Sequence, residues 1–126
     1  MSNNAIFTPN APAAIGPYSQ AVAAGNTVYV SGQLPIDPAT GAFAGEDIAS
    51  QTRQSLTNMK AILEANGMSM QDVVKTTVLL ADIGEFAAMN AVYAEYFTGD
   101  KPARICYEVA KLPMGAKVEI DCIAVK

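Results

Sequence analysis

Arg104, Cys106 and Glu119, close together near the C-terminal end of the sequence, are the side chains whose types and spacing could do chemistry. The guanidinium of Arg104 lies in an otherwise apolar stretch and keeps its charge when buried, so it requires an anion. That anion is either the carboxylate of a ligand or an internal acid, for which Glu108, Glu119 and Asp121 are the candidates. Arg104 is therefore either a ligand-binding residue or half of a structural ion pair.

Glu119 is flanked by Val118 and Ile120, and apolar surroundings would raise the pKa of its carboxyl group towards the range of a useful acid or base. The alternatives are a solvent-facing strand residue and an internal partner for Arg104. Cys106 lies two residues from Arg104, so both point to the same face of a strand, where the cation would favour a thiolate. Inert packing is the commoner role of a strand cysteine.

The composition excludes several classes of chemistry. The 126 residues include no histidine, which rules out Ser-His-Asp and Cys-His catalysis and His-ligated zinc or haem. The net charge is -4 and lysine and arginine are scattered, so nucleic acid is disfavoured as a partner. Any proton transfer must use a carboxylate, amine, phenol, thiol or water.

The sequence predicts a cytoplasmic protein without a membrane partner. Its apolar runs, such as residues 77–81, are far shorter than a membrane span, and residues 1–4 lack the features of a secretion signal. The two cysteines, Cys106 and Cys122, are expected to be reduced.

Strands are predicted where β-branched and apolar residues cluster: 27–32, 73–80, 104–109 and 118–125. Gly25-Asn26 forms the turn before the first of these. In the second, alternation places Val74, Thr76, Val78 and Leu80 on one face. The last two strands are expected to form a hairpin through the loop at 111–116.

Two helices are predicted between these strands. Apolar residues recur at helical spacing over 47–66, and Gly67 stands at the position of a C-terminal cap. Asp82 and Glu85 resemble a capping box that begins a second helix, which ends near Gly99. The order indicates an α+β fold, a single domain over residues 1–126 with both helices on one face of a mixed sheet. The other face would be left open, which favours self-association.

Five segments, in order along the chain, resemble the signature blocks of the RidA (YjgF) family: AIGPYSQAV at 14–22, VYVSGQLP at 28–35, NAVY at 90–93, PAR at 102–104 and VEI at 118–120. The resemblance implies a chorismate-mutase-like fold and a homotrimer with pockets between subunits. It also implies a deaminase that hydrolyses 2-enamino and 2-imino acids, such as 2-aminoacrylate and 2-iminopropanoate, to 2-keto acids and ammonia. Neither a cofactor nor a metal is implied.

The resemblance also assigns roles to individual residues. Arg104 would bind the substrate carboxylate, and Glu119 would activate the attacking water. The backbone amide of Gly32 and the thiol of Cys106 would hold the imine end. Three further residues would line the pocket: Tyr18, Ser31 and Asn90.

Other functions remain open at this stage. The same cleft could serve a non-catalytic sensor of a small carboxylate such as a 2-keto acid, because Arg104 would serve binding as well as turnover. Ribonuclease or translation-inhibitor activity and a chaperone-like role are attached to other members of the family. The acidic charge and the lack of histidine argue against the ribonuclease.

Overall fold

The structure, a computed structural model, describes residues 3–126 as six strands and two helices. In chain order these are β1 (Asn4–Ile6), β2 (Ala21–Ala24), β3 (Thr27–Gln33), α1 (Ile48–Ala65), β4 (Val73–Leu80), α2 (Phe86–Tyr96), β5 (Ala103–Glu108) and β6 (Val118–Val125). Short 3-10 turns lie at Met70–Asp72, Ile83–Glu85 and Pro113–Gly115. Among residues 3–126, no helix is both long and apolar enough to cross a membrane.

The strands form one mixed sheet in the order β1-β2-β3-β6-β4-β5, which confirms the predicted sheet type. Strands β4 and β5 run parallel, and the other neighbouring pairs are antiparallel. The hairpin predicted between β5 and β6 is wrong, because β6 pairs with β3 and β4 while β5 forms the edge of the sheet. A parallel partner for β4 must return through a helix, here α2, and this places β5 outside β4. The chain then crosses the end of β4 to reach β6.

Helix α1 begins and ends within one residue of its predicted bounds, which confirms the prediction. Asp47 caps it by accepting a hydrogen bond from the Ser50 backbone N–H at 2.9 Å, and Gly67 follows the helix with a φ of 72°. The side chain of Asn58 is fully buried and donates to the carbonyl oxygens of Leu34 and Ile36. The helix therefore holds down the loop that follows β3.

The second helix begins later than the sequence predicted. Asp82 accepts a hydrogen bond from the Gly84 N–H at 2.8 Å and caps the 3-10 turn at Ile83–Glu85, so α2 starts at Phe86. The predicted capping box does not form, because the Glu85 carboxylate lies 3.3 Å from the Lys117 ammonium. The helix ends at Tyr96, before the predicted end near Gly99.

Strand β4 defines the two faces of the sheet. Thr76, Val78 and Leu80 are fully buried under the helices, as predicted. Val73 and Val74 are exchanged relative to the prediction: Val73 is 6% exposed and Val74 is 48% exposed. The pairing of β4 with β6 shifts between Val73 and Lys75, and such an irregularity reverses which side chains face the core.

The face opposite the helices is open in the single chain. Tyr29, Ile105 and Tyr107 project from it and are about half exposed, at 50%, 47% and 50%. Their alternation with core-facing neighbours follows the predicted pleat. Large apolar side chains exposed on an uncovered sheet face are typical of a protein interface.

Candidate functional site

Arg104 lies on the helix face of the edge strand β5, directly opposite Thr76 of β4. Its Nη1 donates a hydrogen bond of 2.7 Å to Oδ1 of Asn90. Its Cζ stands 4.8 Å from the ring centroid of Tyr93 and 5.5 Å from that of Phe86. All three partners belong to α2, which therefore fixes the guanidinium in an aromatic and amide cradle.

No internal acid neutralises Arg104 in the part of the chain that the structure describes. Two salt bridges form among residues 3–126, and neither includes Arg104. Glu108 and Asp121 each accept a backbone N–H at 3.0 Å instead. Glu119 lies on the opposite face of the sheet. The structural ion pair weighed from the sequence is therefore wrong, and the guanidinium remains available to an external anion.

The cleft beside this guanidinium, here the arginine cleft, is lined by Asn90, Tyr93, Ala94, Lys101, Pro102 and Arg104. Lys101 adds a second cation to its rim, and its Nζ donates to the carbonyl oxygen of Phe97. Lys101, Tyr93 and Phe86 were not among the site residues predicted from the sequence. Asn90 could have indicated this cradle from the sequence, because it lies four residues after Phe86 and three residues before Tyr93. At that spacing the three side chains share one helix face.

Glu119 lies on β6 opposite Leu79, which alternates with the buried residues Val78 and Leu80 and so faces the open side of the sheet. It lines a second cleft, here the glutamate cleft, formed by Ile15, Tyr18, Ser31, Gly32, Leu34, Pro113 and Glu119. Burial, and next the negative charge of Asp121, raise the pKa of Glu119 above its usual range. The direction of this pKa shift agrees with the one predicted from the apolar neighbours of Glu119.

Gly32 makes room for the Glu119 carboxylate. The pairing of β3 with β6 shifts between Val30 and Gln33, which brings the glycine backbone against the acid. A Cβ atom built on Gly32 would lie 2.0 Å from Oε2 of Glu119, far inside van der Waals contact. Glycine is therefore required at this position for the observed placement of the carboxylate.

Tyr18 and Ser31 are held on the rim of the glutamate cleft by local hydrogen bonds. The Ser31 hydroxyl donates to the carbonyl oxygen of Ser19 at 2.6 Å. The Tyr18 hydroxyl accepts the Ile15 backbone N–H at 3.4 Å, and its ring is 49% exposed. Both side chains therefore border the space in front of the Glu119 carboxylate.

Cys106 follows Arg104 on the helix face, opposite Val78, as the pleat predicted. Burial raises the pKa of its thiol, and the positive charge of Arg104 opposes this shift only in part. The thiol is therefore protonated near neutral pH, which favours a weak hydrogen-bond donor over a nucleophile. Within one chain, Cys106 lies beside Arg104, whereas Gly32 lies in the glutamate cleft described above.

The predicted site residues fall into two groups within one chain. Arg104, Asn90 and Cys106 lie on or under the helix face, whereas Glu119 and Gly32 lie in the glutamate cleft with the two rim residues described above. Strand β4 separates the strands that carry Arg104 and Glu119, and their side chains point to opposite faces. A single chain therefore presents two half-sites: a cation for an anionic ligand, and a carboxylate able to take a proton from water.

Within residues 3–126, no cluster of three or more acidic or cysteine side chains has the arrangement to hold a metal ion. Glu119 and Asp121 project from the same strand, but Asp121 is engaged with the Thr77 N–H across the sheet.

Comparisons with known proteins place the chain among well-defined relatives. A family model described as endoribonuclease L-PSP matches residues 8–126. The 2-iminobutanoate/2-iminopropanoate deaminase of Salmonella typhimurium is 55% identical over 124 residues, and the match covers 96% of each chain. The solved structure of the YjgF gene product from Escherichia coli has a TM-score of 0.95 at 51% identity, covering 98% of both chains. Escherichia coli TdcF, solved with bound serine, has a TM-score of 0.94 at 44% identity, again covering 98% of both.

Proposed function

Because the chain belongs to the endoribonuclease L-PSP family, which also takes in proteins named 2-iminobutanoate/2-iminopropanoate deaminase, we propose that it is a hydrolytic imine deaminase. Its substrates are reactive 2-imino acids and their enamine tautomers, such as 2-iminopropanoate and 2-aminoacrylate. The products are the 2-keto acid and ammonia. No cofactor or metal takes part in the proposed reaction.

The observation that carries this proposal is that one chain holds a cation without an internal partner in the arginine cleft and a carboxyl group with a raised pKa in the glutamate cleft. Arg104 binds the substrate carboxylate through the N–H groups that Asn90 leaves free. Glu119 takes a proton from water as the oxygen adds to the C=N carbon of the protonated imine, which gives a neutral carbinolamine. The protonated Glu119 then passes this proton to the amine nitrogen, the C–N bond breaks as the C=O bond forms, and the released ammonia takes up the hydroxyl proton and leaves as ammonium. A planar carboxylate held in place orients the carbon towards the water.

The two half-sites come together between copies of the chain. We propose a homotrimer in which the arginine cleft of one copy faces the glutamate cleft of the next. Contacts between unlike surfaces close into rings, and the exposed apolar face with Tyr29, Ile105 and Tyr107 supplies the interface. The bound serine of TdcF, a small amino acid with a carboxylate, is the kind of ligand such a site would take.

Two inactive variants are expected to complement each other if the site is shared. Arg104→Ala and Glu119→Gln chains, unfolded together at equal concentration and refolded, should regain about a quarter of wild-type activity, since random pairing joins an intact arginine cleft to an intact glutamate cleft at that frequency. Each variant refolded alone is the control. Continued inactivity of the mixture, with mixed oligomers shown by native mass spectrometry, would contradict the shared site.

The activity itself is tested by generating 2-iminopropanoate from alanine with an amino-acid oxidase and catalase, in the presence of semicarbazide as a trap. Added protein should lower the initial rate of semicarbazone formation, because the 2-keto acid gives the same semicarbazone as the imine but reacts with the trap more slowly. An unchanged initial rate at micromolar protein would refute the deaminase.

Gly32→Ala is expected to lower kcat about 10²-fold with a small effect on KM, because the new Cβ displaces the Glu119 carboxylate but leaves Arg104 in place. The clash is with a side chain, so the fold should persist. Gly99→Ala is the matched control, since a Cβ there meets nothing within 4 Å. Steady-state kinetics and thermal unfolding of both variants check this, and a normal kcat for Gly32→Ala would show that the carboxylate has no required position.

A carboxylate sensor is the second candidate, favoured by the same cationic cradle. Glu119→Gln separates the two functions: a deaminase loses turnover and keeps its affinity for a 2-keto acid, whereas a sensor shows no turnover in the wild type. RNA cleavage, which the family description names, receives no support from a chain of net charge -4 without histidine. Absent or salt-insensitive RNA binding would confirm this.

A cytoplasmic location is proposed for the enzyme. Both cysteines are free thiols in the structure, and the Cys122 thiol is buried with a pKa raised to about 12. Unpaired thiols are typical of a reducing compartment.

A further inference from the structure

An apolar groove adjoins the glutamate cleft, and the proposed reaction does not yet use it. Its walls include Phe7, Pro9, Ile15, Ile36, Pro38 and Met114, and no charged residue lines it. Ile15 lines both the groove and the glutamate cleft. Pro113 lines the cleft and its neighbour Met114 lines the groove, so the two spaces share a wall.

Three large apolar side chains of this groove are mostly exposed to solvent in the single chain. Phe7 is 71% exposed, Ile15 is 69% exposed and Met114 is 61% exposed; the first two lie in the connection between β1 and β2, and Met114 lies in the turn before β6. Each would gain stability by burial. Convergence of three such residues next to a charged cleft is typical of a binding surface.

The backbone at Met114 supports this interpretation independently. Met114 has φ 60° and ψ 17°, the left-handed conformation, and Gly115 follows with a φ of 72°. A side chain other than glycine, asparagine or aspartate is costly in that region, and burial within the fold does not compensate at this position. Backbone strain of this kind clusters at binding and active sites, and here it is found at a residue of the groove wall.

We infer that the apolar groove binds the side chain of the 2-imino acid, and that Ile15 and Met114 determine which side chains are accepted. This rests on the proposed function. The imine carbon is planar and carries three groups: the nitrogen, the carboxylate and the side chain. With the carboxylate held by Arg104 and the water held by Glu119, the side chain extends along the shared wall into the groove. The groove takes apolar side chains and rejects a carboxylate, because nothing in its lining can neutralise a charge.

The test compares 2-imino acids made by amino-acid oxidases from alanine, leucine, methionine and glutamate. In the wild type, kcat/KM should be higher for the imines from leucine and methionine than for the imine from glutamate. Met114→Gly removes the side chain and keeps the left-handed backbone, and Ile15→Ala shortens the other wall. Each should lower the ratio of kcat/KM for the leucine-derived imine to that for the alanine-derived imine roughly tenfold, as expected for lost apolar contact in a pocket.

Ile83→Ala is the matched control, because Ile83 is a 46% exposed apolar residue that lines neither the groove nor either cleft, and it should leave the ratio unchanged. An unchanged ratio in both groove variants, with imine hydrolysis retained, would overturn this inference and leave the proposed function standing. A wild-type protein that hydrolyses none of the imines would overturn the proposed function and the side-chain site with it.

Discussion

Replacing Arg104 by alanine is expected to lower kcat/KM for 2-iminopropanoate about 10³-fold, equivalent to ~4 kcal/mol of lost transition-state binding. The guanidinium is the charged group that meets the substrate carboxylate, and its removal leaves that carboxylate unpaired in a half-buried cleft. The loss should fall on both KM and kcat, since the same contact anchors the substrate and orients its C=N carbon.

Arg104→Lys refines this prediction. Lysine keeps the positive charge but loses the planar fork and its contact with the aromatic rings, so the variant should fall between alanine and wild type. Arg53→Ala is the control, because Arg53 is an exposed arginine on α1 whose partner, Glu95, lies on α2. Wild-type kinetics for Arg104→Ala would remove the arginine cleft from the mechanism.

The elements with strong local signals were predicted well from the sequence. Helix α1 has apolar spacing, an N-terminal Asp47 and a C-terminal Gly67, and its ends lie within one residue of the prediction. Helix α2 was less accurate, because Asp82 can cap a 3-10 turn as well as an α-helix and Glu85 finds a distant partner in Lys117. Local sequence could not reveal that partner.

The strand order could not be obtained from local patterns. Proximity in sequence favoured a β5–β6 hairpin, but β6 gains more by filling the position between β3 and β4, where both of its edges are paired. This one difference in order explains why local patterns did not reveal that Arg104 and Glu119 lie on opposite faces of the sheet. The alternation within β5 correctly placed Arg104 and Cys106 together, whereas the face of Glu119 relative to Arg104 depends on the pairing of β6 with β4.

Glu119→Gln is the second variant with a large expected effect: kcat should fall by about 10²- to 10⁴-fold, the range for loss of a general base. KM should change little, because glutamine has nearly the same shape and the carboxylate of the substrate is bound at Arg104. Glu46→Gln, at an exposed position outside both clefts, is the control. Wild-type turnover by Glu119→Gln would assign the activation of water to another group.

The pH dependence of kcat tests the same role without removing the side chain. A general base must be ionised, so kcat should fall as the pH drops through the pKa of Glu119. Burial and the charge of Asp121 raise that pKa, which places the acid limb above the range of an ordinary glutamate. The prediction concerns kcat, because in the substrate complex the substrate carboxylate neutralises the charge of Arg104, which would otherwise act on Glu119 across the proposed subunit interface. Asp121→Asn removes one of the two causes, and its acid limb should therefore move to lower pH while the Glu119→Gln profile loses this limb altogether. An acid limb that stays in place in Asp121→Asn would mean that Asp121 does not influence the base, and one that persists in Glu119→Gln would identify a different base.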